Sequence, residues 1–489
     1  MNRSKVDGLQ WSESGSDFLQ LRPADAPPGG LASWLSERLR AAIADGGLPV
    51  GSKLPSSREL AADLRVSRGV VTEAYQRLRE DGHVAGRGRA GTVVVAAPAT
   101  APAPAQRAAS PRVFTPTPNA GVLEALRAAR ARVDLAPGVP DLAAFPRAAW
   151  LRAERTVVTA AAATAFGYGD PRGVEPLRTA VAAWVARYRG VRVDPDDVLV
   201  VSGFAQALGL LSRVFAASGL HAVAVEDPSS LGARQHLNHW GIATPPVAVD
   251  DDGVRVEDLA ASGAPAVLLT PAHQFPTGVV LAGRRRRELM RWAADGGLVV
   301  EDDYDAEHRY DRPPVPAVQA LLPEQVVYGG SISKVLAPAL RIGWVIAPAR
   351  YRAALAEAKW YADLGNAVLP QLVLAELMSS GELERQLRFM RKRHQRRRDA
   401  MVAAIAEDLP GAVVHGAAAG LHVMVTFDGA RFSDVDLAAA ALARGVKAQP
   451  LSWHRQRPGP PGLVLGYAAR TPTAIVEGIG LLAQAFRDL

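Results

Sequence analysis

The chain has 489 residues, 48% hydrophobic and 21% charged, which is more than one compact core needs and too apolar for a disordered protein. No apolar run approaches the roughly 20 residues that a membrane helix requires, and residues 1–20 hold no signal-peptide hydrophobic region. The absence of cysteine excludes disulfides, thiolate metal sites and cysteine nucleophiles, and fits a cytoplasmic protein, while a net charge of +7 permits an anionic partner without identifying one.

In chain order, residues 12–97 read as three helices and a β-hairpin. The first helix, 31–44, places Leu31, Trp34, Leu35, Leu39 and Ile43 on one face and stops at Gly46-Gly47. Pro55-Ser56-Ser57 opens a short second helix with Leu60, Ala61 and Leu64 apolar. Ser67 caps a third, 68–81, with Val71, Ala74, Tyr75 and Leu78 inward, and residues 92–96 form a β run after a glycine-rich turn.

The second and third helices have helix-turn-helix spacing. The third presents Ser67, Arg68, Gly69 and Thr72 at its amino end, which reaches base edges when such a helix lies in a major groove. Arg58 is placed for a backbone phosphate, and Arg87 and Arg89 sit on the turn of a wing. A small helical dimerisation module is the competing reading of the same pattern. Gly86–Gly91 satisfies G-x-G-x-x-G, but it follows a helix and opens a strand, the reverse of what a dinucleotide site needs.

Residues 98–129 read as a linker. Prolines at 98, 102, 104, 111, 116 and 118, interleaved with Ala and Thr, forbid a helix or sheet and favour an extended chain of roughly 3 Å per residue.

Residues 130–489 alternate short β runs with helices. Runs at 198–201, 222–225, 266–269, 298–300, 326–328 and 342–346, with helices such as 284–294 between several of them, predict an α/β layer with a mostly parallel sheet. Beyond Pro370, long helices and runs at 421–427, 446–450 and 463–467 predict a smaller α+β part. P-loop, H-E-x-x-H and G-x-S-x-G motifs are absent.

What remains is polar residues at strand ends. Glu301-Asp302-Asp303-Tyr304 follows an apolar run; Ser331-Ile332-Ser333-Lys334 follows another, with Arg341 seven residues on; Val201–Leu208 passes from strand to helix through Gly203. An anionic aromatic aldehyde cofactor needs a lysine, an acid for its ring nitrogen, a donor at its ring oxygen and an anion cradle. A solvated strand-end loop accounts for the acidic cluster equally well. His308, His394 and His454 form no ligand spacing, so no metal is expected.

Two resemblances sharpen these readings. The run Leu48–Ala61, with Val66-Ser67-Arg68 and Ala74–Leu78, closely resembles the winged helix-turn-helix of GntR-type regulators, which implies DNA contacts from Arg58, Arg68, Gly69, Thr72 and the wing. Arg65 departs from that pattern, where the turn usually has glycine. Tyr168–Gly173, Glu226-Asp227-Pro228, Thr270–Gly278, Glu301–Tyr304 and Ser331–Arg341, in that order, resemble the type I aminotransferase fold.

That second resemblance implies pyridoxal 5'-phosphate as cofactor. Lys334 would form its Schiff base, Asp302 would pair with the ring nitrogen and Tyr304 would bond the ring oxygen. Ser331, Ser333, Arg341 and the amides of Phe204 and Ala205 would hold the phosphate, and Tyr168 would reach across a homodimer. Together the two parts look like the MocR family of regulators. The implied function is a cofactor-dependent DNA-binding regulator that senses pyridoxal phosphate or an amine or amino acid. An active aminotransferase carrying a DNA-binding head is the alternative.

Three departures bear on this. Ser229-Ser230 stand where a ring-stacking tyrosine is common, and Phe275 stands where many aminotransferases have asparagine. Leu463-Val464 occupy the place of the arginine that takes the substrate carboxylate, with Arg455 and Arg470 as possible substitutes. Residues 385–398 hold seven arginines and one lysine, read as a solvated helix face in preference to a second DNA surface.

Overall fold

A computed structural model describes residues 19, 21–28, 30–81, 83–86, 91–95, 113–310, 315–429 and 432–489, in two units divided at Ser110 and Pro111. The first unit packs helices Leu31–Ala44, Ser57–Asp63 and Arg68–Glu80 against an antiparallel hairpin, Val84–Gly86 with Thr92–Val94. Its core joins Trp34, Leu35, Leu39 and Ile43 to Leu60, Val71, Leu78 and Val94, the apolar positions that helical spacing brings to one side.

The short second helix starts at a capping box. Ser56 Oγ accepts from the Glu59 amide at 3.2 Å, and Glu59 Oε2 accepts from the Ser56 amide at 2.8 Å. The turn after it runs through Arg65 at φ +54, the left-handed region where glycine is expected. A non-glycine there costs about 1–2 kcal/mol, against about 0.4–1 kcal/mol of chain entropy that glycine adds to the unfolded state. Arg65→Gly should therefore stabilise the head by about 0.5–1 kcal/mol and raise its unfolding midpoint. Urea titration of the full-length chain measures this, and a lower midpoint would show that the Arg65 side chain contributes more than its backbone costs.

The second unit is built on an eight-stranded sheet in the spatial order Val198–Val201, Gly343–Ile346, Val326–Ser331, Leu298–Asp303, Ala266–Leu269, Ala224–Asp227, Pro246–Asp250, Gly253–Val254. Pairing is parallel except at Gly343–Ile346 and at the edge strand Gly253–Val254. The strands from Gly343–Ile346 across to Ala224–Asp227 are buried along nearly all their length, as a sheet covered by helices on both faces requires. A second sheet, with Ala412–His415, His422–Phe427, Gly462–Gly466 and Gln449–Pro450 in that spatial order, is antiparallel, and helices Glu382–Asp408, Asp434–Ala443 and Pro472–Arg487 join it in the smaller core.

Two expected features differ. The linker reading covers residues 98–129, yet Val122–Ala128 is a helix of the second unit, with Val122 and Leu126 buried among Leu231, Val435 and Trp453. Phe114 stacks on Trp453 at 5.5 Å between centroids, so apolar side chains too sparse to show periodicity still anchor this stretch. The arginine-rich run lies on the helix Glu382–Asp408 but is not simply solvated. Arg393 and Arg397 both reach buried Asp141, at 2.8 and 2.9 Å, while Arg391 and Arg398 donate to the carbonyls of Glu307 and Ala417. Arg385, Arg388, Lys392 and Arg396 are the exposed half.

Candidate functional site

At the carboxyl ends of the parallel strands lies a cavity of about 420 Å³. Phe204, Ala205, Asp302, Tyr304, Ser331, Ser333, Lys334 and Arg341 all border it. Of the residues expected around a cofactor, Tyr168 is apart: its side chain is 95% exposed and outside the cavity.

The strand Leu298–Asp303 runs through the acidic cluster, and strand alternation sorts it. Asp302 and Tyr304 border the cavity. Glu301 and Asp303 point away and are buried: Glu301 accepts from the amides of Val318 and Gln319, and Asp303 pairs with Arg189 at 2.5 Å and accepts from the Tyr328 hydroxyl at 2.5 Å. Half the cluster is therefore structural.

Asp302 takes no side-chain hydrogen bond among the described residues, and burial, with Asp303 and Asp305 nearby, pushes its carboxyl well above the usual range; Lys334 opposes this. Lys334 donates to the Gly138 carbonyl, and burial lowers its ammonium pKa against the pull of Asp302 and Asp305. Each group is thus held toward its neutral form.

The opposite corner is an anion cradle. Gly203, at φ +80, turns the chain into the helix Phe204–Ala217, whose first amides, Phe204 and Ala205, have no acceptor within the helix. Arg341 lies against this turn, donating to the Ser202 carbonyl; a Cβ at position 203 would come 3.2 Å from its guanidinium. Arg341 itself has φ +51, a strained backbone held by Asn366, which donates to its carbonyl at 3.1 Å. Ser331 and Ser333 hydroxyls bond each other at 2.9 Å beside it.

Around Tyr304 the structure assembles residues that local reading passed over. The Tyr304 hydroxyl donates to the His273 carbonyl at 3.2 Å and lies 3.1 Å from His273 Nδ1, which is 2.9 Å from Asp305 Oδ2. His422 completes a buried group of three ligand-type side chains and is pushed down to about 3 by burial, so it is neutral. The Thr270–Gly278 motif contains His273, but nothing in its spacing announced Asp305 or His422 as partners. Glu226 holds Thr270 by two bonds of 3.0 and 2.9 Å.

The departures have structural counterparts. Ser230 caps the helix Leu231–His239, and Ser229 borders the cavity with its hydroxyl unpaired, so neither covers a ring. Phe275 fills the wall between Tyr304, His422 and His454, with centroids 6.2, 4.9 and 5.1 Å away. Val464 is fully buried with Met424 and Leu451, against Phe275. Arg455 donates to the Pro460 carbonyl and Arg470 to the Asp134 carbonyl, and neither borders the cavity.

On the first unit, Arg58, Ser67, Arg68, Gly69 and Thr72 are all exposed. Ser67 caps the third helix, Arg68 Nε donates to Ser57 Oγ at 3.3 Å, and Thr72 donates to the Arg68 carbonyl at 2.9 Å. Arg87 and Arg89 lie outside the described residues.

Residues 31–94 match the bacterial regulatory proteins of the gntR family, and residues 131–459 match aminotransferase class I and II. Over 481 residues the chain is 32% identical to the probable rhizopine catabolism regulatory protein MocR of Rhizobium meliloti, covering 96% of this chain and 95% of that protein. Over 446 residues it is 30% identical to the HTH-type pyridoxine biosynthesis transcriptional regulator PdxR of Corynebacterium glutamicum, covering 90% and 93%. Among solved structures, a kynurenine aminotransferase of Pyrococcus horikoshii in complex with PMP matches with a TM-score of 0.69 at 29% identity, over 75% of this chain and 93% of that one.

The chain is thus a GntR-type DNA-binding regulator fused to an aminotransferase-like domain of the pyridoxal phosphate-dependent fold. It belongs to the MocR-type transcriptional regulators. No helix among the described residues is long and apolar enough to cross a membrane.

Proposed function

We propose that this regulator works in the cytoplasm as a homodimer and uses its cavity to sense pyridoxal 5'-phosphate, or an amine or amino acid that reacts with it, changing the grip of the head on a duplex DNA operator. The observation that carries this reading is that eight residues expected around one cofactor border one cavity. The donor set fits that group: a half-buried lysine, a half-buried carboxylate without a hydrogen bond among the described residues, and free helix amides beside a guanidinium. When bound, the cofactor supplies an electrophilic carbon and an electron-accepting ring.

The chain's residues divide the work. Lys334 offers the amine that holds the aldehyde. Asp302 would hold the ring nitrogen, and Tyr304, steadied by His273, would hold the ring oxygen. Ser331, Ser333, Arg341 and the amides of Phe204 and Ala205 would hold the phosphate, and exposed Tyr168 would reach a neighbouring subunit's site. In the head, Ser67, Arg68, Gly69 and Thr72 meet base edges, while Arg58, Arg87 and Arg89 meet phosphates. Val464 and Ser230, in place of a carboxylate-holding arginine and a stacking tyrosine, favour sensing over full transamination. Regulation requires only that the ligand bind one arrangement of the protein more tightly than the other.

The test is binding to the DNA flanking the protein's own gene, with and without cofactor, by anisotropy across a salt titration. Arg68→Ala should weaken binding by about 1–3 kcal/mol, roughly 5- to 150-fold. Unchanged affinity at every salt concentration would remove the recognition helix, and affinity indifferent to cofactor and to amines would remove the sensor.

A further inference from the structure

The wall of the cavity nearest the linker is the helix Val122–Ala128, which contributes Leu123, Leu126 and Arg127. The Arg127 side chain is exposed, and its guanidinium makes no hydrogen bond or ion pair among the described residues. Every other guanidinium or ammonium bordering the cavity is engaged. Arg341 donates to Ser202 and Lys334 to Gly138, Arg234 donates to the Trp453 carbonyl at 2.6 Å, and Lys447 pairs with Asp134 at 3.2 Å. The histidines on the far wall, His422 and His454, are both driven down to about 3 by burial and carry no charge.

An acidic group entering beside the cofactor thus finds no counter-charge on the small-sheet side, where Val464 packs with Met424 and Leu451. On the linker side it finds Arg127. The charge of Arg127 reaches Lys334, adding to burial in disfavouring the protonated amine.

We propose that Arg127 is the anion receptor of the effector site: a primary amine would replace the Lys334 amine on the cofactor carbon, the lysine leaving as the free amine with the proton the incoming nitrogen gives up, and would present a carboxylate or sulfonate to this guanidinium. The inference rests on the proposed sensing function and names the residue that selects the ligand.

The position of Arg127 gives its engagement a consequence. Its backbone carbonyl accepts from Lys447 Nζ at 3.1 Å, and upstream the Asn119 and Thr115 carbonyls accept from Gln235 at 2.9 Å and Trp453 at 3.1 Å. A ligand held at the cofactor end of the cavity and by Arg127 therefore tightens the stretch of chain that leads back toward the linker. Binding that favours the seated form of this stretch is the differential affinity that regulation needs.

The experiment titrates full-length, cofactor-loaded protein with straight-chain ω-amino carboxylates and ω-amino sulfonates of three to six carbons. Each is paired with the n-alkylamine of the same length, and the shift of the visible cofactor band gives both half-saturation concentrations. At one length or more, the wild type should prefer the acid-bearing amine by about tenfold or more, the worth of a charged hydrogen-bonded pair. Arg127→Gln should bring that ratio close to one, and Arg127→Lys should restore part of it. No preference at any length, or a preference that survives Arg127→Gln, overturns the assignment. A wild type that takes up no cofactor overturns the sensing function and this inference with it, whereas a coloured protein without preference overturns this inference alone.

Discussion

Lys334→Ala should give a folded protein that lacks the visible absorption of the lysine-bound cofactor and does not regain it when pyridoxal phosphate is added. The side chain is half-buried, its hydrogen bond goes to one backbone carbonyl, and truncating it breaks no ion pair, so the fold should tolerate the change. What is lost is the nucleophile itself, which no other residue at the cavity can supply: Lys447 is paired with Asp134. Asp302→Asn should act differently, keeping the band but weakening cofactor uptake by about 10- to 100-fold, because a neutral amide no longer matches a pyridinium. Absorbance titration separates the two variants. A visible band that persists in Lys334→Ala would sink the site assignment.

The residue next to Asp302 should behave as its opposite. Asp303→Asn is expected to lower stability by about 3–5 kcal/mol while leaving the cavity's donors in place, because it strips a buried guanidinium of its counter-charge. Arg189 and Asp303 side chains are 1% and 2% exposed, and the pair is joined by Tyr328 and by the more distant carboxylate of Glu301 at 4.0 Å. The double change Arg189→Met with Asp303→Leu should recover much of the loss, since removing both charges removes the need to desolvate either. Asp302→Asn without cofactor should cost little or even stabilise. The Asp302 carboxyl is held above its unfolded value by burial, so its ionisation works against the fold, and that penalty fades as pH falls through the raised folded value and is gone below the unfolded one. Urea denaturation of the full-length variants measures all three. Equal losses for Asp302→Asn and Asp303→Asn would refute the division of the cluster.

That division shows where sequence reading stops. Four polar residues after an apolar run announce a strand end at a ligand-binding edge, and the order of the motifs around them assigns Lys334 and Asp302 before any coordinates. Whether Asp303 faces ligand or core depends on Arg189, 114 positions away. The arginine run is a similar case: composition reads as one solvated face, but Asp141, 252 residues from Arg393, turns part of it inward. Arg65 is the converse, since the departure from glycine was visible in the turn pattern and the left-handed backbone is found at that same residue.

The chain on its own determined the two bodies and the helix-turn-helix, and it singled out the strand-end residues that border the cavity. Each of these is written in short stretches, where periodicity, caps and turn residues act over a few positions. The tertiary structure alone decided which members of a polar cluster face the cavity and which cations are already paired. It also decided that the end of the expected linker forms the wall carrying Arg127. These depend on side chains brought together from distant parts of the chain, and burial fixes a polar group's role only once its partners are in place.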